Sequence, residues 1–341
     1  MAQQTGRPLA ENVSDQVRPA STAPPAVPIT TRQLAAISAA HRVPNSPIEP
    51  VDSIGIINSI YLWGDRYVLR VPRDHPGHVE QARREAHAIP AAIDAGVRTP
   101  RLIAFDDTLD ILPVPFLIVD RVHGRNAESL GVVPPQPRQA WRRLGADVAR
   151  LHLSTRPPPP GQPWPDEVRD PRELVELRAQ DGWVSSLEVR RFHAWLDRLA
   201  PLVAPSPPVF VHGDLQMSNV ILDQATGEYR ALIDWGGARG GNEADDFSVV
   251  PLGAVGPMLE GYRELVPAEP VVTEASILWR RFQLVLRYLP RGAAPGWAWA
   301  ERPVAQLTDL LLHFHGVPDQ PWRDLGPPAT GHPDPFSWPG G

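Results

Sequence analysis

The stretch FVHGDLQMSNVILD, residues 210–223, places polar side chains that could do chemistry between two apolar, strand-like runs. Asp214 follows His-Gly, Asn219 stands five residues later, and Asp234 comes fifteen residues after Asn219 in the run LIDWG. A carboxylate can accept a proton from a reacting hydroxyl, and carboxylate and amide oxygens are the ligands that Mg²⁺ prefers. A strand–loop–strand arrangement would hold these groups rigidly at a cleft.

The residues before this stretch predict a small antiparallel sheet crossed by one helix. The runs SIYLW and YVLRV, joined by Gly-Asp, are typical of a β-hairpin. The segment HVEQARREAHAIPAAIDAG has the apolar spacing of a helix, in which Pro90 should cause a bend and Gly96 should end the helix. The runs RLIAF and PFLIVDRV add two further strands.

After residue 136 the pattern becomes mainly helical, so the fold class expected is α+β. One short hairpin is expected among the helices, made of PPVFVHGD and NVILD and returning through EYRALIDW. The predicted helices are RQAWRRLGADVARLHL, PRELVELRAQ, SLEVRRFHAWLDRLAPLV and the ranges 245–265, 274–289 and 301–315.

Composition excludes several classes of function. The 341 residues contain no cysteine, which removes disulfides, thiol nucleophiles and thiolate metal sites. They also contain no lysine, which excludes a P-loop with its Lys, a Schiff-base enzyme and a Ser-Lys dyad. A net charge of -6 without basic clusters argues against a nucleic-acid partner.

The ends of the chain are rich in proline. Residues 1–30 are polar and Pro-rich and are expected to form a disordered lead-in. Residues 316–341 form a Pro-rich tail whose Trp322, Phe336 and Trp338 could dock on the body. The chain has no apolar run of the roughly 18 residues that a membrane span needs, and its N-terminus lacks the layout of a signal peptide. We therefore expect no membrane partner and a cytoplasmic location.

The two polar loops carry a family resemblance. HGDLQMSN, followed by LIDWG, resembles the catalytic and metal loops of the aminoglycoside phosphotransferase and choline kinase group, which has a protein-kinase-like fold. The resemblance covers about residues 35–315. It implies a two-lobed fold, with a nucleotide-binding lobe over residues 31–122 that ends at a hinge and a helical lobe over residues 123–315.

The resemblance assigns roles to the motif residues. Asp214 would be the base that orients the acceptor hydroxyl and takes its proton. Asn219 and Asp234 would hold Mg²⁺ for a nucleoside triphosphate, ATP or GTP. His212 is expected to brace the loop, and Asp246 in GGNEADDFSVV is expected to be structural.

The nucleotide grip departs from the protein-kinase pattern. YVLRVP places Arg70 where kinases have a phosphate-binding Lys, and Glu85 fits the position of its partner on the helix. Arg offers a bidentate, permanently charged group for phosphates. Glu85 could instead be an exposed residue on a helix face.

The phosphate loop and the hinge complete the expected nucleotide site. SIGIINSIY has a single glycine, Gly55, so the phosphates would be capped near Asn58 and Ser59, although a strand–turn–strand without a ligand is the alternative. The backbone from Asp120 to Val122 would meet the purine.

The sequence leaves the phosphate acceptor open among antibiotics, choline, amino alcohols and sugars, and aminoglycoside or macrolide types are favoured. Two other functions stay possible on the residues alone. One is a nucleotide-binding regulator without turnover, which the altered phosphate loop allows. The other is a hydrolase that uses the Asp-His pair, for which the chain offers no nucleophile elbow. The oligomeric state is unknown.

Overall fold

The structure is a computed structural model that describes residues 24–51, 57–161, 169–266, 272–290, 298–316 and 319–328. Three of the sequence-based expectations concern residues outside these ranges: Gly55 of the phosphate loop, residues 1–23 of the lead-in and residues 329–341 of the tail. Within the described ranges, no helix has the length and apolar character that crossing a bilayer requires.

The N-terminal lobe is built on a five-stranded antiparallel sheet in the order β1-β2-β3-β5-β4. The predicted hairpin is confirmed, since Asn58 pairs with Pro72 at one end and Trp63 with Tyr67 at the other. Gly64 takes the left-handed conformation that its turn requires, with φ of +55°. The strands are β1 (Ile48–Pro50), β2 (Asn58–Trp63), β3 (Tyr67–Pro72), β4 (Leu102–Asp106) and β5 (Phe116–Asp120).

This lobe contains a second helix besides the predicted one. Helix α1 (Thr31–His41) begins at a capping box in which Thr30 and Gln33 exchange hydrogen bonds. The chain before it, which the sequence places in the disordered lead-in, lies against the lobe over residues 24–30, because Val27 is buried in the core of the sheet. The expectation of disorder is therefore wrong for residues 24–30.

Helix α2 (Pro76–Asp94) crosses the sheet and continues through Pro90. Its first turn is favourable because Pro76 occupies a position whose N–H has no partner inside the helix. Gly96, with φ of +87°, follows the end of the helix as predicted. Ala88, Ile89 and Ala92 face the core, so α2 presents Glu85 toward the cleft on the same buried face.

The C-terminal lobe is mainly helical, so the two lobes together form the two-lobed α+β architecture that the sequence predicts. The expected helix over 245–265 is instead two helices, because Pro251 cannot donate a helical hydrogen bond. The helices are α3 (Arg138–His152), α4 (Pro171–Gln180), α5 (Ser186–Leu199), α6 (Asp245–Ser248), α7 (Leu252–Arg263), α8 (Glu274–Tyr288) and α9 (Pro303–His315).

Helices α3 and α7 approach each other backbone to backbone. A Cβ at Gly145 would lie 1.9 Å from the carbonyl oxygen of Met258. A Cβ at Gly261 would lie 1.9 Å from the carbonyl oxygen of Arg142. Only glycine permits this spacing, because any side chain would overlap the facing helix.

Two small sheets form the floor of the cleft. The expected hairpin is found between β8 (Val220–Leu222) and β9 (Tyr229–Leu232), with β6 (Arg125–Asn126) on the other edge of β8. The expectation that VFV belongs to this hairpin is wrong, because β7 (Val209–Val211) pairs with β10 (Arg239–Gly241). Gly241 in β10 allows this approach, since a Cβ on it would lie 2.7 Å from Val211 Cγ2.

Part of the Pro-rich tail docks on the body of the C-terminal lobe. Trp322 and Leu325 are buried, and Trp195 Nε1 donates a hydrogen bond of 2.7 Å to the carbonyl oxygen of Leu325. The indole of Trp322 packs edge-on against His313. The docking that the sequence suggests for Trp322 is therefore observed.

Candidate active site

A cavity of about 320 Å³ lies between the two lobes. Its walls are apolar on two sides, with sheet residues of the N-terminal lobe facing residues of β8 and the end of β9, and one end of the cavity carries charged groups. The apolar walls include Ile60, Leu62, Val68, Val119, Ile221 and Ile233, and the charged end includes Arg70, Glu85 and Asp234. The shape is a slot that could hold a flat apolar group next to an anionic one.

Arg70 lies at the centre of the charged end. It projects from β3, and its Nη2 lies 3.2 Å from Glu85 Oε2 and 3.1 Å from Asp234 Oδ1. Its side chain is only 6% exposed, which a lone cation would not tolerate. The pairing of Arg70 with Glu85 that the sequence predicts is therefore present, and Asp234 shares the same guanidinium.

Glu85 is a buried carboxylate held by this arrangement. Burial raises the pKa of Glu85 to about 7, although Arg70 and the backbone N–H of Trp235 both favour its charged form. One guanidinium serves two carboxylates here, so neither is fully compensated. The alternative of an exposed Glu on a helix face is excluded, since Glu85 is 3% exposed.

The loop that carries Asp214 is fixed by the carboxylate of Asp246. Asp246 Oδ2 accepts a hydrogen bond of 2.9 Å from the backbone N–H of His212, and its Oδ1 accepts one of 2.9 Å from Gly213. The Oδ2 atom also lies 3.1 Å from His152 Nε2. Gly213 has φ of +75°, so the chain turns sharply at the point where β7 ends and presents Asp214 to the cleft.

Asp246 is fully buried and remains a hydrogen-bond acceptor. Burial alone would raise the pKa of Asp246, but the hydrogen bond and the charge of His152, together with the Gly213 amide, hold it below its usual value. His152 in turn lies 3.1 Å from the hydroxyl of Tyr262, through its Nδ1. Helices α3 and α7 therefore brace the loop from behind.

His212 supports the loop, as the sequence predicts. Its Nε2 donates to the carbonyl oxygen of Ile233 at 3.1 Å, and its Nδ1 accepts from the backbone N–H of Asp214 at 3.3 Å. Burial lowers the pKa of His212. The imidazole is therefore neutral, and its ring lies edge-on against Trp235 at 4.6 Å between centroids.

Asp214 is held by two side-chain amides. Gln216 Nε2 donates to both carboxylate oxygens, at 3.0 and 3.1 Å. Asn219 Nδ2 donates to the Asp214 backbone oxygen at 2.8 Å and to Oδ2 at 3.2 Å. Burial raises the pKa of Asp214 to about 8, and the charge of Asp234 adds to this effect.

Asn219 and Asp234 come together through the β8–β9 pairing. Val220 pairs with Leu232, and the backbone N–H of Ile233 donates to the backbone carbonyl oxygen of Asn219 at 2.9 Å. Asn219 and Asp234 are therefore neighbours across the hairpin. Asp234 has φ of +68°, a left-handed conformation that is uncommon outside glycine and occurs at functional turns.

Asn219 and Asp234 each carry an oxygen of the kind that Mg²⁺ takes as a ligand. The Nδ2 of Asn219 is held by Asp214, which leaves its oxygen as a ligand, and Asp234 contributes a partly exposed carboxylate. Over the described residues, no group of three or more His, Cys, Asp or Glu side chains could hold a metal. Mg²⁺ commonly takes one or two protein oxygens and completes its octahedron with waters and phosphates, so two protein oxygens are enough where a phosphate supplies further ligands.

Of the other residues predicted to bind the nucleotide, two line the cavity and two do not. Asp120 and Val122 line the cavity, and the Asp120 carboxylate accepts a 2.7 Å hydrogen bond from Arg101. Asn58 and Ser59 lie in β2, paired with Pro72 and Val71, and do not line the cavity. Their Oδ1 and Oγ atoms are buried without a hydrogen-bond partner among the described residues. Their assignment to the nucleotide phosphates stays a prediction.

Sequence reasoning missed three contributors to the site. Gln216 lies inside the quoted motif, but only the folded loop shows that it contacts Asp214. Arg84 donates to the carbonyl oxygen of Gly236 at 2.9 Å and thereby ties α2 to the turn after Asp234. Trp235 is fully buried and lines the cavity, with its Nε1 donating to Thr99 Oγ1 at 2.8 Å. The sequence could have indicated Trp235, because it directly follows Asp234.

The fold of the chain is similar to those of solved phosphotransferases. The chain is similar to a mutant aminoglycoside 2'-phosphotransferase-IIIa in complex with GDP, at 15% identity over 83% of this chain and 96% of the other, with a TM-score of 0.56. It is similar to APH(2")-IIa in a streptomycin–ATP complex, at 13% identity over 84% and 97% of the two chains, with a TM-score of 0.50. It is also similar to a type I macrolide 2'-phosphotransferase, at 20% identity over 77% and 91%, with a TM-score of 0.50.

At these identities the structural matches concern the fold, and the family is decided by sequence. The sequence model of the phosphotransferase enzyme family, known as APH, matches residues 49–264. That range covers more than half of the chain and contains the charged end of the cavity and the Asp214 loop. The chain therefore belongs to the phosphotransferase enzyme family, a family of kinase-type enzymes.

Proposed function

We propose that the protein transfers the γ-phosphoryl group of ATP or GTP to a hydroxyl group of a small organic molecule. The observation that carries the proposal is that Arg70 and Asp234 form the charged end of the cavity. Asn219 is joined to the residue before Asp234 by a backbone hydrogen bond and to the Asp214 carboxylate through its Nδ2. Phosphoryl transfer needs positioning and charge neutralisation more than covalent chemistry. These residues supply a cation for phosphates, oxygen ligands for Mg²⁺ and a carboxylate for the acceptor.

The nucleotide would occupy the slot between the lobes. Its base would lie between the sheet residues and Ile221 and Ile233, next to the backbone from Asp120 to Val122. Its phosphates would reach Arg70, whose bidentate guanidinium suits phosphate oxygens. The named relatives include complexes with GDP and with ATP, so the fold is compatible with either purine.

Asp214 would act on the acceptor. Its carboxylate accepts the hydroxyl proton while the acceptor oxygen forms a bond to the γ-phosphorus and the bond from that phosphorus to the bridging oxygen breaks, releasing the nucleoside diphosphate. Mg²⁺, held by Asn219 and Asp234, would supply charge neutralisation on the phosphate oxygens. A cation beside Asp234 would also remove part of the negative charge that keeps Asp214 protonated.

The charge around Asp214 favours a cationic acceptor. Burial is the largest cause of its raised pKa, and the negative charges of Asp234 and Glu301 raise this pKa further. An acceptor with an amino group would be attracted to this region. We therefore favour aminoglycoside- or macrolide-type antibiotics, the classes named for the similar structures.

The test is nucleoside diphosphate release in the presence of Mg²⁺ with ATP or GTP. The acceptor panel would contain aminoglycosides, a macrolide, choline and a sugar, and Asp214→Asn would be assayed beside the wild type. Acceptor-dependent release that the variant loses would support the proposal and identify the acceptor class. Nucleotide binding without turnover above the variant, for every acceptor, would contradict it and favour a regulatory protein.

A further inference from the structure

Gln216 contacts Asp214 in a way that the proposed reaction does not yet use. Its side-chain nitrogen lies within hydrogen-bond distance of both Asp214 carboxylate oxygens, at 3.0 and 3.1 Å. Leu215 and Met217 on either side are buried, and the Gln216 backbone N–H donates to the backbone carbonyl oxygen of Asp214 at 2.9 Å. The side chain is thus fixed at its base and at its tip.

The hydrogen bonds show which end of the amide faces Asp214. Nε2 lies within hydrogen-bond distance of both carboxylate oxygens, and an amide nitrogen only donates. The amide oxygen, Oε1, then points away. It is buried and has no hydrogen-bond partner among the described residues. Gln216 as a whole is 9% exposed.

A buried acceptor without a partner is uncommon in folded proteins and calls for an explanation. Here the unpaired oxygen belongs to the same amide that holds the carboxylate which would receive the proton of the acceptor hydroxyl. A donor that bound to Oε1 would therefore lie beside the reacting hydroxyl.

We propose that Gln216 is a positioning residue for Asp214, and that its amide oxygen accepts a hydrogen bond from a second O–H or N–H group next to the hydroxyl that is phosphorylated. The inference rests on the proposed phosphotransferase function and adds to it the class of acceptor. That acceptor has a hydroxyl or an amine adjacent to the reacting hydroxyl. The two hydrogen bonds from Nε2 would keep the carboxylate plane oriented toward the acceptor.

The test compares Gln216→Met with the wild type, using the acceptor and nucleotide that give the highest turnover in the panel. Methionine has similar length and no amide, so both hydrogen-bonding functions disappear while the volume stays. We expect kcat to fall about 10- to 100-fold, because Asp214 loses its orientation. We expect KM for the acceptor to rise and KM for the nucleotide to stay within about twofold, since Gln216 lies outside the nucleotide cavity.

A double-mutant cycle separates positioning from a merely structural role. If Gln216 acts through Asp214, adding Gln216→Met to Asp214→Asn should lower kcat no further, because residues that act as a unit are not additive. The matched control is Gln306→Met, which also removes a buried amide with an unpaired Oε1 and whose Nε2 donates to Ala300. It should lower the melting temperature and leave both KM values unchanged.

Four results would overturn the inference. They are an unchanged kcat in Gln216→Met, a loss of kcat that adds fully to that of Asp214→Asn, an unchanged acceptor KM, and equal kinetic losses in Gln306→Met. Wild-type protein that turns over no acceptor would instead contradict the proposed function, and the inference would fall with it. Wild-type turnover together with any of the four results leaves the proposed function standing and rejects Gln216 alone.

Discussion

Arg70 and Asp234 lie 3.1 Å apart, from Nη2 to Oδ1, and their contact crosses the cleft between the two lobes. Arg70 comes from β3 of the N-terminal lobe, and Asp234 follows β9 of the C-terminal lobe. The same Nη2 also lies 3.2 Å from Glu85 on α2. A single cation therefore compensates two carboxylates that belong to different lobes.

Loss of Arg70 should destabilise the protein strongly. Arg70→Met would leave Glu85 and Asp234 without their shared cation, and breaking a buried ion pair costs roughly 3–5 kcal/mol. The free energy of unfolding by urea, without nucleotide, would measure this loss. Arg83→Met is the control, because Arg83 pairs with Asp107 at the surface and should matter little. Equal effects of the two substitutions would contradict the importance of the buried Arg70–Glu85 pair.

Asp214 should make the folded protein less stable as the pH rises. Its pKa is raised from 3.8 to about 8 by burial and then by Asp234, so the folded state favours the protonated acid. The stability from this group is complete below about pH 4 and is lost as pH rises through about 8. Asp214→Asn cannot ionise and should therefore gain stability over the wild type, on the order of 1 kcal/mol, between about pH 5 and about pH 9.

Chemical denaturation of the protein without nucleotide or divalent cation would follow this difference. Asp223 offers a control of opposite sign, because hydrogen bonds from Arg230 and Thr226 lower its pKa. Asp223→Asn should lose stability at neutral pH and regain none as the pH rises. If the free energy of unfolding of the wild type and of Asp214→Asn changed with pH in parallel, ionisation of Asp214 would not destabilise the folded protein.

The contact between α3 and α7 should not tolerate a methyl group. Gly261→Ala would place Cβ 1.9 Å from the Arg142 carbonyl oxygen, so the helices must separate, at a cost of about 1–3 kcal/mol. Gly256→Ala on the same helix is the matched control, because its Cβ would meet nothing within 4 Å. That substitution should stabilise the helix by about 0.5–1 kcal/mol. Thermal unfolding distinguishes the two signs, and a shift in the same direction for both would contradict the close approach.

Asp246→Asn should weaken the Asp214 loop without weakening nucleotide binding. The amide NH₂ of asparagine would face at least one N–H donor among His212, Gly213 and His152, and an unsatisfied buried donor costs about 1–3 kcal/mol. We expect a lower kcat with an unchanged nucleotide Kd, measured by titration calorimetry. Asp181→Asn at an exposed helix end serves as the control. Weaker nucleotide binding in Asp246→Asn would show that the brace acts on the whole cleft.

Local sequence predicted the parts of the site that depend on local geometry. Asp214, Asn219 and Asp234 lie in two short motifs on one loop and one hairpin, and the family resemblance of these motifs was enough to select them. Glu85 was selected by its position relative to the same family, and it lies on the buried face of α2 with Ala88 and Ile89. The hydrogen bonds of Asp246 to His212 and Gly213 join segments more than thirty residues apart. No local pattern specifies such long-range contacts.

The errors in the predicted fold have the same origin. The sequence placed VFV in a hairpin with its neighbour along the chain, whereas β7 pairs with β10, which follows the hairpin. Helix α1 was missed because the Pro-rich residues before it dominated the local pattern, although Thr30 and Gln33 form a capping box. The split between α6 and α7 at Pro251 could have been read directly from the proline.

The glycine contact between α3 and α7 also limits how this scaffold can evolve. Gly145 and Gly261 leave no side chain at the crossing whose size could be varied, so mutation cannot adjust the helix spacing in small steps. The same two helices carry His152 and Tyr262, which stand behind Asp246. Mutations that adapt the protein to a new acceptor would then have to change the loops at the mouth of the cleft. The packing of α3 against α7 behind Asp214 would stay the same.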